Sequence, residues 1–420
     1  MYRGFMPIDD LEHNLKVVIP NIEAELSSAG LTDDEFFDIY ELYLGVLRDV
    51  ARDDFATFNK YLEIDEDHND PNRAFHHQRK DHLSELVQAL NDMEVHDTYD
   101  TLLISMPPRV GKSTFGIRFL AWIIGRKPLK TQLATSYSDN ITSSFYIGVM
   151  EIVAGERFPQ IFPESELVSQ NAKREEIWLG KQKRYPSITF VPISGSMTGR
   201  SEASDYLYCD DLVSGIEEAL SLVRLDNLWN KYTVNAKQRK KEGAKEIHIA
   251  TNWSVHDPMS KLKVIGEGNP KFKILDIPCY DENMESNFDF FGGFSTAYYD
   301  QMKEDMDEAS FSALYLQEAI EREGLLYNKE DLMYYLKLPE HRPDSVIAVG
   351  DSKNLGKDNV SLPIAYMYGN DIYLADVVYN NGLPNVTKEL VANKLVEHKV
   401  TRCDVELNNG GNYYAEDVDK

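Results

Sequence analysis

Residues 102–125 read LLISMPPRVGKSTFGIRFLAWIIG. An apolar strand-like run leads into Met106-Pro107-Pro108-Arg109, then into Gly111-Lys112-Ser113-Thr114, and then into an amphipathic stretch with helical spacing. Strand, glycine-lysine-hydroxyl turn and helix is the context in which a phosphate-binding loop works. Backbone N–H groups and the positive end of the helix hold the phosphates, Lys112 reaches the β/γ oxygens and Ser113 ligates Mg²⁺. The usual pattern, G-x-x-x-x-G-K-[ST], opens on glycine where this chain has Met106. Pro107 and Pro108 stiffen the same turn by fixing φ. Arg109 lies where a cation can stabilise transferring charge, and it equally suits a surface arginine paired with a carboxylate. The loop predicts ATP and Mg²⁺ as cofactors.

Working outward, TLLISM, TQLATSY, SITFVPIS, DYLYCDD and EIHIATN are strand candidates, and the first pairs are separated by stretches long enough for crossover helices. Such alternation predicts an α/β domain with a mainly parallel central sheet and helices on both faces. Upstream, residues 76–93 (HHQRKDHLSELVQALNDM) place Leu83, Leu86, Val87, Leu90 and Met93 on one helical face. Residues 33–50 also have helical spacing, and 63–73 (EIDEDHNDPNR) read as a polar linker. Past residue 335 a second alternating unit begins: SVIAVGD, then two β-rich runs joined by the hairpin turn YGND, then a helical VTKELVANKLVEHK, then RCDVELNN. The expected divisions are a helical N-terminal segment (1–62), an ATPase core (63–260), its remainder with lid and linker (261–335), and a second α/β domain (336–420).

A chain of 420 residues has room for more than one core. No run of 18 apolar residues spans a bilayer and no signal-peptide core opens the sequence, so an intracellular protein without a membrane role is expected. Three scattered cysteines make neither a disulfide framework nor a zinc knuckle. The formal net charge of -26 excludes a general nucleic-acid coat, so any polyanion must be met at a local basic patch. NAKQRKKEGAK (235–245) is such a run, either a solvated helix end or a phosphate-tracking patch.

Hydrolysis needs a second element. SDYLYCDDLVSG (204–215) ends a strand in Asp210-Asp211. Asp210 suits the water shell of Mg²⁺, and Asp211 suits orienting or deprotonating the attacking water. Thr251 and Asn252 end the next strand, where polar groups either sense the γ-phosphate or cap a loop.

Taken together, MPPRVGKST, ATSYSDNITSSF (134–145), SGSMTGRSEASDYLYCDD (194–211), ATNWSVHDP (250–258) and LYLQEA (314–319) resemble, in order, the motifs of the large terminase subunit of tailed double-stranded DNA bacteriophages. The likeness covers roughly residues 75–420, and the glycine-poor Pro-Pro-Arg loop is common in that family. The resemblance implies a helicase- and translocase-type ATPase joined to an RNase H-like endonuclease. It further implies that Gln78 contacts adenine, that Arg200 lies near the nucleotide, and that Thr251 and Asn252 couple hydrolysis to movement. The implied partners are double-stranded DNA, a portal protein, a small terminase subunit and further copies in a ring, in the host cytoplasm and transiently at the procapsid.

An RNase H-like centre holds two divalent metals, Mg²⁺ or Mn²⁺, between carboxylates from strands distant in sequence. Asp351 ends the first strand of the second unit and Glu406 the strand after its helix. Asp358 and Asp376 are lesser candidates, and Lys353 is a departure from the small residue usual two places after the first acid. The family's third metal-binding aspartate lies beyond the second acid, and the sequence ends at Lys420, so an incomplete nuclease domain with impaired cleavage is expected, with Asp417 a further candidate if cleavage survives. Two other functions fit parts of the sequence: a helicase-like DNA-repair ATPase, and a non-catalytic nucleotide-gated assembly subunit.

Overall fold

The computed structural model of the chain describes residues 4–70, 73–319, 333–350, 360–380 and 382–405. It divides into a unit over 1–324 and a unit over 325–420.

The first unit is built on eight strands: β1 Thr101–Ser105, β2 Gln132–Ser136, β3 Leu167–Asn171, β4 Glu176–Leu179, β5 Ile188–Phe190, β6 Tyr206–Asp210, β7 Lys245–Ile249 and β8 Phe272–Asp276. Their order is β3-β4-β5-β2-β6-β7-β1-β8. From β5 to β8 every pairing is parallel, and β3 and β4 add an antiparallel extension at one edge. The expected mainly parallel α/β sheet is therefore present. Its central strands read as continuous apolar runs because both faces are covered. Leu102, Ile104, Tyr206 and Tyr208 face a core with Phe115 and Phe119 of the helix Lys112–Arg126. Leu103, Leu133, Leu207 and Cys209 face a second core with Leu225 and Leu228 of the helix Leu222–Lys231 and Met259 and Leu262 of the helix Pro258–Gly266.

The expected strand SITFVPIS is shorter than its apolar run. It stops at Phe190, and Pro192, which has no N–H to give the ladder, lies just beyond. The expected continuous helix over 76–93 is two helices, Phe75–Arg79 and Ser84–Glu94. The break allows His82 Nδ1 to meet the carbonyl of Asn287 at 3.0 Å and its ring to lie 5.5 Å from Phe290. β3, β4 and β8 carry no alternation strong enough to announce them.

The N-terminal helices do not form a separate body. Phe55 and Phe58 share the core of Trp122 and Phe119. Trp122 Nε1 donates to the carbonyl of Ala51 (3.0 Å), and Arg126 forms ion pairs with Asp53 and Glu94, both at 3.1 Å. The expected division at residue 62 thus runs through a continuous core. β8 likewise extends the sheet past 260, because it pairs with β1 in register Thr101↔Phe272.

The second unit has four strands, β9 Ser345–Gly350, β10 Val360–Tyr368, β11 Asp371–Asn380 and β12 Arg402–Val405, in the order β11-β10-β9-β12. β10 is antiparallel to both neighbours, whereas β12 runs parallel to β9 after the helix Pro384–Glu397. The hairpin turn falls at Gly369-Asn370 as expected, with Gly369 at φ 63°, a conformation that suits glycine. Val346, Ala348, Leu362, Ile364, Val378 and Val391 form this unit's own core.

Candidate nucleotide site

The carboxyl ends of β1, β6 and β7 meet at one edge of the sheet, with β7 between the other two. β1 leads through Met106 and the prolines into the loop and then the helix Lys112–Arg126. Gly111 turns the chain at φ 119°, and a Cβ there would lie 2.7 Å from the Phe75 ring, so both backbone and neighbour require glycine. One turn on, Gly116 lets β6 approach: a Cβ would stand 1.8 Å from the Tyr208 hydroxyl. Lys112 is buried, and its Nζ donates to the carbonyl of Met106 at 2.8 Å, so the ammonium folds back over its own loop. Arg109 is exposed at φ 68°, with its guanidinium 5.9 Å from the centre of the Phe294 ring. Among the described residues it has no carboxylate partner. Thr114 is exposed in the first turn of the helix.

β6 ends at Asp210, which is 3% exposed. Ser113 Oγ donates to its Oδ2 at 3.3 Å and Tyr208 OH to its Oδ1 at 3.4 Å. Burial and the adjacent Asp211 carboxylate push Asp210 up to about 8, while Lys112 and the two hydroxyls act the other way. Asp211 sits at φ 38°. Its N–H donates to Ile249 of β7 (2.8 Å), its carbonyl accepts from Tyr137 just beyond β2 (3.2 Å), and its Oδ1 accepts from the amide of Thr251 (3.0 Å). Among the described residues Oδ2 has no partner.

Asn252, also buried, reaches further. Its Nδ2 donates to the carbonyl of Gln317 (3.1 Å), and its Oδ1 accepts from Ser260 Oγ (2.7 Å). Gln317, in the LYLQEA stretch, stands at φ 62° with its Oε1 buried and without a partner among the described residues. The tip of β7 is thereby tied to a segment at the far end of the first unit.

Among the described residues no group of three His, Cys, Asp or Glu side chains could hold a metal alone. Ser113, Asp210 and Asp211 instead make an oxygen-rich, charge-strained corner beside the loop. Hard oxygen donors of this kind suit Mg²⁺, which keeps several waters and shares its shell with substrate phosphates.

The structure brings Arg109, Gly111, Lys112, Ser113, Thr114, Asp210, Asp211, Thr251 and Asn252 to this edge. Gln78 lies on the short helix that touches the loop, but its side-chain amide bonds to the carbonyl of His68. Residues not singled out from the sequence make that contact. Arg79 Nε donates to the carbonyl of Val110 (3.2 Å), its guanidinium stacks 4.2 Å from the Phe75 ring, and Phe75 packs on Gly111. Glu63, at the start of the expected linker, is buried and accepts from the amides of His76 (2.8 Å) and His77 (3.1 Å) and from Arg118 (2.5 Å). The signal available was an aromatic and an arginine four apart, one helical turn, just ahead of the first core helix. Arg200 is held elsewhere, by Glu176 of β4 at 3.0 Å, toward the antiparallel edge of the sheet.

In overall structure the chain is similar to large terminases of several phages. It matches the large terminase of bacteriophage HK97 at 12% identity and a TM-score of 0.46, over 80% of this chain and 76% of that one. It matches the large terminase of a thermophilic bacteriophage at 9% identity and 0.39, over 77% of each chain. The Thermus phage P74-26 large terminase ATPase domain aligns at 12% identity and 0.37, over 54% of this chain and 91% of that one. No family model and no curated protein matches the sequence.

The basic run 235–245 lies at the opposite end of the sheet from the loop, just ahead of and at the first residue of β7. Lys240 and Lys237 approach the buried Glu246 at 2.8 and 3.6 Å, Lys241 pairs with Glu202 (3.1 Å) and Lys245 with Asp97 (2.7 Å). Each of these four lysines has a carboxylate within 4 Å, while Lys237 and Lys241 remain exposed just past the helix Tyr232–Ala236, an arrangement nearer to a solvated helix end than to a phosphate track.

In the second unit β9 and β12 pair with Gly350 beside Val405. Asp351, Lys353, Asp358, Glu406 and Asp417 lie outside the described residues. Asp376 is within them, on β11, and it is engaged: Lys394 Nζ lies at 2.7 Å and His398 Nε2 at 3.0 Å, holding its carboxyl down at about 2. His398 Nδ1 in turn meets the Tyr366 hydroxyl at 3.0 Å. Asp376 thus links the end of the helix to the sheet, a structural role rather than that of a free metal ligand.

Proposed function

We propose that the chain is an ATP-hydrolysing motor subunit that drives double-stranded DNA into a phage procapsid, with a metal-dependent endonuclease in its second unit. The observation that carries the ATPase reading is the meeting of Lys112, Ser113, Asp210 and Asp211 at one edge of a parallel sheet, with the Thr251 amide fixing Asp211. The packaging reading rests on the ordered motif resemblance, and the mixed four-stranded second unit supports the nuclease. The partners that follow are a portal, a small terminase subunit and further copies in a ring, in the host cytoplasm.

The loop amides and Lys112 hold the triphosphate, Lys112 exchanging the Met106 carbonyl for β/γ oxygens. Mg²⁺, when bound, supplies charge neutralisation across those oxygens; Ser113 and Asp210 are the residues that would hold it. Asp211, fixed through Oδ1, presents Oδ2 to orient the attacking water and take its proton. Arg109, exposed and without a carboxylate partner among the described residues, would swing from the Phe294 ring toward the transferring phosphoryl group. Gln78 would take the adenine after releasing His68. In the second unit Asp351 and Glu406 would hold Mg²⁺ or Mn²⁺.

Phosphate release by the purified chain tests this. Lys112→Ala is expected to lower Mg²⁺-dependent turnover about 100-fold or more by removing the charge that faces the phosphates. Asp211→Asn is expected to lose turnover similarly while keeping most nucleotide binding. Unchanged turnover in both variants would overturn the site. Plasmid cleavage that survives Asp351→Ala would remove the nuclease assignment.

A further inference from the structure

Ser105, Thr135 and Ser136 carry buried hydroxyls that find no hydrogen-bond partner among the described residues, all at the carboxyl ends of strands in the nucleotide sheet. Such groups are unfavourable to bury unpaired, so their placement asks for a reason. Ser136, 1% exposed, is in register with Asp210 across the β2–β6 pairing. Because side chains alternate along a strand, Ser136 shares a face with Ala134, and Asp210 with Tyr208. Ala134 and Tyr208 both belong to the core under the helix Lys112–Arg126. Thr135, in register with Cys209, points to the opposite face.

Paired strands lie about 4.8 Å apart, and Ser136 and Asp210 leave the same face of neighbouring strands in register; among the described residues no hydrogen bond joins their side chains. The hydrogen bonds given to that carboxylate come from Ser113 and Tyr208. A buried oxygen of this kind, next to an acid and one strand removed from it, matches the second layer around a hydrated hard cation.

We propose that Ser136 is a positioning residue for the divalent cation that enters with the nucleotide, its hydroxyl receiving a hydrogen bond from the cation's water shell on the side of Asp210. The inference rests on the nucleotide-site reading. A cation-bound water would supply the hydrogen bond that Ser136 Oγ lacks among the described residues.

The test is Mn²⁺ binding to the full chain in the presence of ADP, read by electron paramagnetic resonance of free Mn²⁺, alongside ADP binding in EDTA and melting of the nucleotide-free protein. Ser136→Ala is expected to weaken Mn²⁺ about 3- to 10-fold, with ADP binding in EDTA unchanged and the melting temperature unchanged or raised. Thr135→Ala removes an equally buried, equally unpaired hydroxyl on the other face and is expected to leave Mn²⁺ affinity as it was. Equal weakening by both variants, a fall in the melting temperature with Ser136→Ala, or Mn²⁺ affinity untouched by Ser136→Ala would each overturn the proposal. If the unaltered chain fails to take up Mn²⁺ with ADP, the nucleotide site itself is refuted instead.

Discussion

At Gly116 a single missing Cβ decides how closely the loop helix approaches β6. A methyl group there would meet the Tyr208 hydroxyl at 1.8 Å and Cζ at 2.7 Å, distances that no rotamer of a fully buried tyrosine relieves easily. Gly116→Ala is expected to cost about 1–3 kcal/mol by overpacking, measured by urea unfolding. The displaced helix would also draw Ser113 away from Asp210, so Mg²⁺-dependent hydrolysis should fall with stability. Wild-type unfolding and turnover in this variant would show that the helix packs otherwise. At this scale the phosphate loop and the acid pair were legible, because their chemistry is set by neighbours in sequence: lysine after glycine, two acids after an apolar run. Arg79 and Ser136 were not. Their roles depend on Val110 and on the β2–β6 register, contacts closed across 31 and 74 positions, respectively.

Among the elements, the short helix Phe75–Arg79 is caught between the loop and the N-terminal helices. Its amides are capped by Glu63, and His76 is 8% exposed against Phe115 with its ring Nδ1 unpaired. Burial, reinforced by Arg118 and Lys80, pushes His76 down to about 3 from 6.5. The unfolded chain therefore takes up a proton below pH 6.5 that the folded chain refuses until pH 3. The resulting stability is complete above pH 6.5 and drains away as pH falls, by up to about 1.4 kcal/mol per pH unit and about 2 kcal/mol by pH 5. His76→Gln is expected to flatten this part of the curve, measured as the difference in unfolding free energy between the two proteins at pH 7 and pH 5. Parallel curves would mean that the histidine is protonated in place. Elements with strong periodicity, such as Lys112–Arg126 and the β10–β11 hairpin, were readable. β3 and β8 were not, since an edge strand with one face in water needs no continuous apolar run; β4 is an inner, largely buried strand but only four residues long, too short to show a period, and the break at 80–83 accompanies a contact with residues two hundred positions away.

At the scale of the whole molecule, each unit has its own sheet and core among the described residues: the eight-stranded sheet lies within 1–324, and Val346, Ile364 and Val391 pack in a cluster of the second unit. Every residue assigned to nucleotide and phosphate chemistry falls in the first unit, including Asn252 and the Gln317 carbonyl it holds. The N-terminal helices belong to that body as well, through Arg126 with Asp53 and Glu94, a buried arrangement in which removing one partner strands a charge. A chain ending at Gly324 is accordingly expected to fold and to hydrolyse ATP within about 2-fold of the full chain. Calorimetry of the full chain should show two transitions rather than one, because independent cores unfold as separate cooperative units, and the higher-melting or lower-melting peak that persists in 1–324 should be the one that ADP and Mg²⁺ shift upward. A single transition that shifts as a whole with nucleotide, together with an inactive 1–324 chain, would mean that the second unit completes the folding of the first.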